Sequence, residues 1–135
     1  MTIPALTEAY SELVRQYFAN PIHAGRLINA YNDVVFSEAT ESEMGVRVVL
    51  SAVVDGDIIR FLRYRIFGCP HLIAAAEFFC DEVEGQSISA LLELNVLDLM
   101  DKLTIPVEKT GGIFILEDAV KILHIALTEM THIEH

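Results

Sequence analysis

GVRVVLSAVVDGDIIRFLRYRIFGCPHLIAAAEFFCDEVEG, residues 45 to 85, changes period halfway along, and the change decides the fold class. Its first half holds two runs rich in β-branched and aromatic residues, Gly45–Val54 and Asp57–Phe67, joined at Asp55-Gly56. That dipeptide predicts a tight hairpin, because glycine accepts positive φ without a steric penalty. After Gly68 the apolar residues recur at helical spacing: Leu72, Ile73, Ala76, Phe79, Cys80 and Val83 form one stripe, with Pro70 in the first turn and Gly85 at the end. A hairpin feeding an amphipathic helix places the chain in the α+β class.

On the N-terminal side, Leu6, Tyr10, Leu13, Val14, Tyr17 and Phe18 mark an amphipathic helix that Asn20-Pro21 stops. Residues 19–44 read mostly as loop, with a short strand allowed at Asp33–Phe36 before the acidic SEATESEMG. On the C-terminal side, Ser87 and Asn95 suit the caps of helices over Ile88–Leu94 and Val96–Leu103. TIPVEKTGG reads as a loop broken by Pro106 and Gly111-Gly112, and Phe114–Met130 as a last amphipathic helix. The expectation is one domain over 1–135, an antiparallel sheet of two to three strands with the helices packed on one face.

Composition narrows the function classes. A formal charge of −11 argues against a nucleic-acid surface, which needs clustered Lys and Arg. Four of the nine basic residues, Arg47, Arg60, Arg63 and Arg65, lie close together and read either as a solvated sheet face or as a basic face for an acidic partner. No apolar run has the length of a membrane span, and MTIPALTEAY lacks the features of a signal peptide, so the reading expects no membrane and a cytoplasmic protein with both cysteines as thiols.

Across a helix over 70–84 the two cysteines would stand about 16 Å apart, beyond the ~7 Å that a disulfide tolerates. Cys80 falls on the apolar stripe and reads as a small buried hydrophobe. Cys69 stands at the start of the helix, where amide groups and the dipole favour the thiolate that binds metals and carries sulfur. His71 is near enough in sequence to serve as base or ligand, although a histidine in a first turn ordinarily faces solvent.

Several stretches together resemble the IscU/NifU-type iron–sulfur cluster assembly scaffolds. Tyr10-Ser11-Glu12-x-Val14, Phe18, Asn20-Pro21 and Gly25 look like that family's opening pattern YSExVxxHYxNPxxxG. Phe67-Gly68-Cys69 resembles the segment with the family's central cysteine, Glu117-Asp118-Ala119 its EDA, and Ile105-Pro106-Val107 with Lys109 its LPPVK segment. The resemblance implies an IscU-like fold, an iron–sulfur cluster or iron as cofactor, and a cysteine desulfurase and a heat-shock-type chaperone as partners. It implies three cysteines with a nearby aspartate and histidine, of which this chain keeps Cys69. Glu41-Ser42-Glu43-Met44-Gly45 stands where the first cysteine is expected, and Gly111-Gly112 where the His-Cys pair is expected.

A cluster held by one protein usually needs three or four thiolate or imidazole donors, and zinc needs four ligands or three and a water. Cys69 supplies one. Glu43 or Glu41 adds a carboxylate and His71 or His23 an imidazole, a set better suited to iron(II) or zinc than to a sulfide cluster. The candidate metal set is Cys69, His71 and Glu43, with Cys69 shared between two subunits of a homo-oligomer as another way to complete a cluster. The function expected is that of a non-catalytic scaffold-like protein with a degenerate ligand set. The alternatives are an interaction or regulatory protein that kept the fold and binds no cluster, and thiol chemistry with Cys69 as nucleophile and His71 as base.

Overall fold

The computed structural model describes residues 10–25, 27 and 34–133. Helix α1 spans Glu12–Ala19; strands β1, β2 and β3 span Val35–Glu41, Val46–Asp55 and Ile58–Phe67. Helix α2 spans Pro70–Val83, α3 spans Val96–Leu103 and α4 spans Thr110–Ile133, with 3-10 turns at Ile88–Glu93 and Val107–Lys109. The strands form one antiparallel sheet in the order β1-β2-β3, and Gly56 takes φ +61° at the hairpin tip. No helix among the described residues is long and apolar enough to cross a membrane.

One row of the sheet shows which face the helices cover. Ser37, Leu50 and Tyr64 are register partners across the three strands. The Ser37 hydroxyl donates to the Ala119 carbonyl of α4 at 2.8 Å, and the Tyr64 hydroxyl donates to Glu77 of α2 at 3.1 Å. Both long helices therefore pack on the same face, as the hydrophobic periods require. Val46, Val48, Leu50 and Ala52 of β2 meet Leu72, Ala76 and Phe79 of α2 and Leu116, Val120 and Leu123 of α4 in one core. A register shift after Val53 turns Ile59 inward, where it is fully buried.

Two expectations need correction. The stretch read as loop before residue 45 contains β1, whose inward positions carry Ser37 and Ala39 and whose outward ones carry Phe36, Glu38 and Thr40. Such a strand lacks the apolar alternation that makes strands visible. Gly111-Gly112, read as loop, lies in the first turn of α4, where Ile113 and Leu116 already anchor the helix in the core. Helix α1 begins at Glu12, since Ser11 caps it by accepting from the Val14 amide at 3.1 Å; the expected start at Leu6 lies outside the described residues.

Helix α1 is lightly attached. Only Val14 of its residues is fully buried, while Leu13 and Phe18 are exposed. Ser11 fixes its start by donating to the Leu103 carbonyl at 2.5 Å, and Tyr17 meets the Phe78 ring edge-on at 5.4 Å.

Candidate functional site

The strand-to-helix junction is built tightly around Cys69. A Cβ on Gly68 would lie 2.8 Å from Leu72 Cδ2, so only glycine lets the strand turn this sharply into the helix. Cys69 then takes the N-cap position of α2 in extended conformation, half-buried, with no cap hydrogen bond from its side chain. Its thiol is left available, while its carbonyl accepts from the Leu72 and Ile73 amides. Cys80, the other cysteine, is 0% exposed, and burial together with the Glu77 and Glu84 charges pushes its thiol well up. It is a core residue.

His71 does not face solvent. It is 2% exposed because α2 turns its first-turn face toward the start of α1, where the Tyr10 ring covers it at 4.5 Å between centroids. Both ring nitrogens are without a hydrogen-bond partner among the described residues. Burial lowers its pKa, the Lys109 charge adds to this, and Glu108 opposes it.

Glu43 sits exposed in the β1–β2 turn, its amide donating to Glu41 Oε1 at 2.9 Å. Next to it Met44 lies over the N-terminus of α4: a Cβ on Gly111 would stand 3.3 Å from its Sδ. Where the family pattern places a histidine, a methionine side chain thus packs over a bare backbone. Among the described residues no three His, Cys, Asp or Glu side chains form a group fit to hold a metal ion. The donors present do not fit a cluster held by one chain. The imidazole of His71, two positions after Cys69, is left without a hydrogen-bond partner among the described residues.

His23 is committed elsewhere. It is 5% exposed in the segment after α1, and its Nδ1 lies 2.5 Å from Glu77 Oε2 and its Nε2 3.3 Å from Glu84 Oε1. The two carboxylates thus flank the ring at both of its nitrogens. Glu77, 1% exposed, also accepts from the His23 amide at 2.8 Å. Glu84 accepts from the Leu62 amide at 2.9 Å and from Arg63 at 2.5 Å. Burial pushes the Glu84 carboxyl up, but the Leu62 amide, Arg63 and His23 outweigh it and hold it below its ordinary value. The chain Glu77–His23–Glu84–Arg63 ties the segment after α1 to α2 and β3. Sequence reasoning missed Glu77, although a carboxylate on the apolar stripe of α2 is itself a signal, because charged residues are rarely fully buried unless paired. Of the arginine group, Arg47 turns to Glu38 at 2.8 Å and Arg63 to Glu84, so half of the basic face is internally neutralised.

The family described as NifU-like N terminal domain matches residues 9–131. The chain belongs to the NifU-like N-terminal domain family. It is similar to "Iron sulfur cluster assembly protein 1" of Trachipleistophora hominis, 31% identical over 112 residues, 83% of this chain and 81% of that protein. It is similar to the iron-sulfur cluster assembly protein IscU of Plasmodium falciparum, 25% identical over 116 residues, 86% of this chain and 72% of that one. Its fold matches the N-terminal NifU-like protein of Brucella abortus with a TM-score of 0.71 at 14% identity, covering 92% and 97% of the two chains. Within the NifU-like family this chain is scaffold-like with a degenerate ligand set, having two cysteines, one of them buried.

Proposed function

We propose that this chain serves iron–sulfur cluster assembly as a non-catalytic scaffold-like component in which Cys69 is the single working thiol, accepting sulfur from a cysteine desulfurase or ligating iron. The observation that carries the reading is the state of Cys69: free, half-buried, uncapped at the N-terminus of α2, with the second cysteine sealed in the core. His71 and Glu43 are auxiliary donors. Iron or a cluster is cargo here, held briefly or shared with a second subunit. Cytoplasm, where thiols stay reduced, is the compartment that suits this chemistry.

The sulfur step is a transfer between thiols. The Cys69 thiolate attacks the outer sulfur of the donor's persulfide, one S–S bond forms as the donor's breaks, and the donor leaves as thiolate. No external oxidant enters. The test is mass spectrometry after incubation with a cysteine desulfurase and free cysteine, alongside anaerobic incubation with iron and sulfide. One added sulfur on Cys69 or bound iron, lost in Cys69→Ser, supports the reading; neither sulfur nor iron on the native chain overturns it.

Met44 over Gly111 favours a second reading, that of a regulatory protein that keeps the scaffold's shape and occupies a partner's docking surface. The Ile105–Lys109 segment suits a heat-shock-type chaperone, since Val107 is 79% exposed. Recovery of neither desulfurase nor chaperone in a pull-down with the full chain counts against this second reading.

A further inference from the structure

Edge strand β3 is sealed along most of its length. Its outward backbone groups are taken in turn: the Ile59 amide donates to the Gln86 carbonyl at 2.8 Å, the Leu62 amide to Glu84 at 2.9 Å and the Tyr64 amide to the His23 carbonyl at 3.0 Å, while the Tyr64 carbonyl accepts from the Gly25 amide at 2.8 Å. The segment after α1 then leaves the edge, since at Leu27 its amide donates to Ser51 Oγ of β2 at 3.4 Å. By the alternation of an antiparallel pair, the next outward groups are the amide and carbonyl of Ile66, and neither has a partner among the described residues. An open stretch of edge is a template for another extended chain.

Two further observations fall on the same spot. Of the four arginines noted in the sequence, Arg47 and Arg63 are held by carboxylates and Arg60 stands over the Phe61 ring at 5.6 Å, whereas the exposed Arg65 has no partner among the described residues. On a chain of formal charge −11, an exposed cation with no carboxylate beside it favours an acidic group on whatever docks there. Arg65 and the 64% exposed Phe67 also form a wall shared by two clefts. One, of about 380 Å³, lies over Val49 on the outer face of the sheet; the other, of about 460 Å³, lies beyond the edge and is backed by Phe18 and Ile73.

We propose that the β3 edge at Ile66 is a docking site for an extended segment of a partner protein, one that carries a carboxylate and bulky apolar residues and adds to the sheet as a further strand. The segment runs antiparallel to β3, because in that direction a single residue exchanges both of its backbone bonds with Ile66. Side chains of an added strand alternate between the faces. An acidic residue beside Arg65 and an apolar one beside Phe67 therefore point outward, and the apolar residue between them points toward Phe18 and Ile73. The backbone bonds supply attachment, and the side chains in the clefts supply selectivity. The proposal goes beyond the sulfur and iron reading of Cys69 and does not depend on it.

The probe is a blocked pentapeptide, Thr-Phe-Val-Glu-Thr, titrated into the full chain and read by amide chemical shifts. The native chain binds it saturably, with the largest shift at the Ile66 amide. N-methylation of the peptide's valine weakens binding about two- to twelve-fold, the range that one backbone hydrogen bond represents. Arg65→Ala weakens it about two- to five-fold, the range that one exposed ion pair represents, and lysine in place of the peptide's glutamate weakens it further. Arg60→Ala, at the far end of the strand, leaves affinity unchanged. An absence of saturable binding up to millimolar peptide overturns the proposal, as does binding indifferent to both N-methylation and Arg65→Ala. Dimerisation of the free chain that the peptide disrupts assigns the edge to a second copy and overturns the partner segment.

Discussion

Replacing Glu77 by alanine tests the buried polar chain most severely. The carboxylate is 1% exposed and accepts three hydrogen bonds, from the His23 amide at 2.8 Å, His23 Nδ1 at 2.5 Å and the Tyr64 hydroxyl at 3.1 Å. Alanine leaves the His23 amide, His23 Nδ1 and the Tyr64 hydroxyl buried without this partner. Leaving one buried donor unsatisfied costs about 1–3 kcal/mol, so losing three such bonds at once costs at least about 3 kcal/mol. Against a total stability of about 5–15 kcal/mol for an ordinary domain, that is a large fraction. Glutamine keeps the volume and one acceptor oxygen but sets an amide against one of the donors, which costs about 1–3 kcal/mol. Urea unfolding followed by circular dichroism gives both values, provided the slope against denaturant is unchanged. The double variant His23→Ala with Glu77→Ala is less destabilised than the sum of the singles, because each single change already breaks the bond the two side chains share. A loss below about 1 kcal/mol for Glu77→Ala, in a chain folded by the same criteria, refutes the assignment of this cluster as a structural clamp.

Glu84, whose carboxyl is held below its ordinary value, contributes stability that is present above the unfolded carboxyl value and lost as pH falls through the lower folded one. Stability therefore declines below about pH 4.3, and Glu84→Gln flattens that decline in unfolding curves taken across the acid range. Gly68→Ala drives a methyl group to within 2.8 Å of Leu72 Cδ2 in a 1% exposed side chain, and destabilises by about 1–3 kcal/mol in thermal unfolding. Gly112→Ala meets nothing within 4 Å in the first turn of α4 and stabilises by about 0.5–1 kcal/mol, which a rise in melting temperature reports.

What the sequence disclosed and what it withheld follow one division. The hairpin at Asp55-Gly56, the helix from Pro70 and the helix over Val96–Leu103 were legible because local period, turn chemistry and caps agree with the final packing. Cys80 was legible as core for the same reason, since it lies on the stripe of its own helix. His71 was not, because the Tyr10 ring that packs against it stands sixty-one positions earlier in the chain. The partnership of His23 with Glu77 joins residues fifty-four positions apart and has no local period to announce it. Gly111-Gly112 misled because glycines are read as breakers, whereas in α4 the apolar residues that follow hold the helix against the sheet.

The strand that was hardest to see has a solubility consequence. β1 is an edge of the sheet, and an edge strand offers backbone groups to any other extended chain. Glu38, Thr40 and Glu41 line its second half, and the acidic turn through Glu43 follows directly. A second copy approaching along that edge would bring its own carboxylates against these. The acidity that disguises β1 as a loop therefore acts as a guard against fibre-like growth, and exchanging Glu38 and Glu41 for threonine would remove the guard while leaving the core intact.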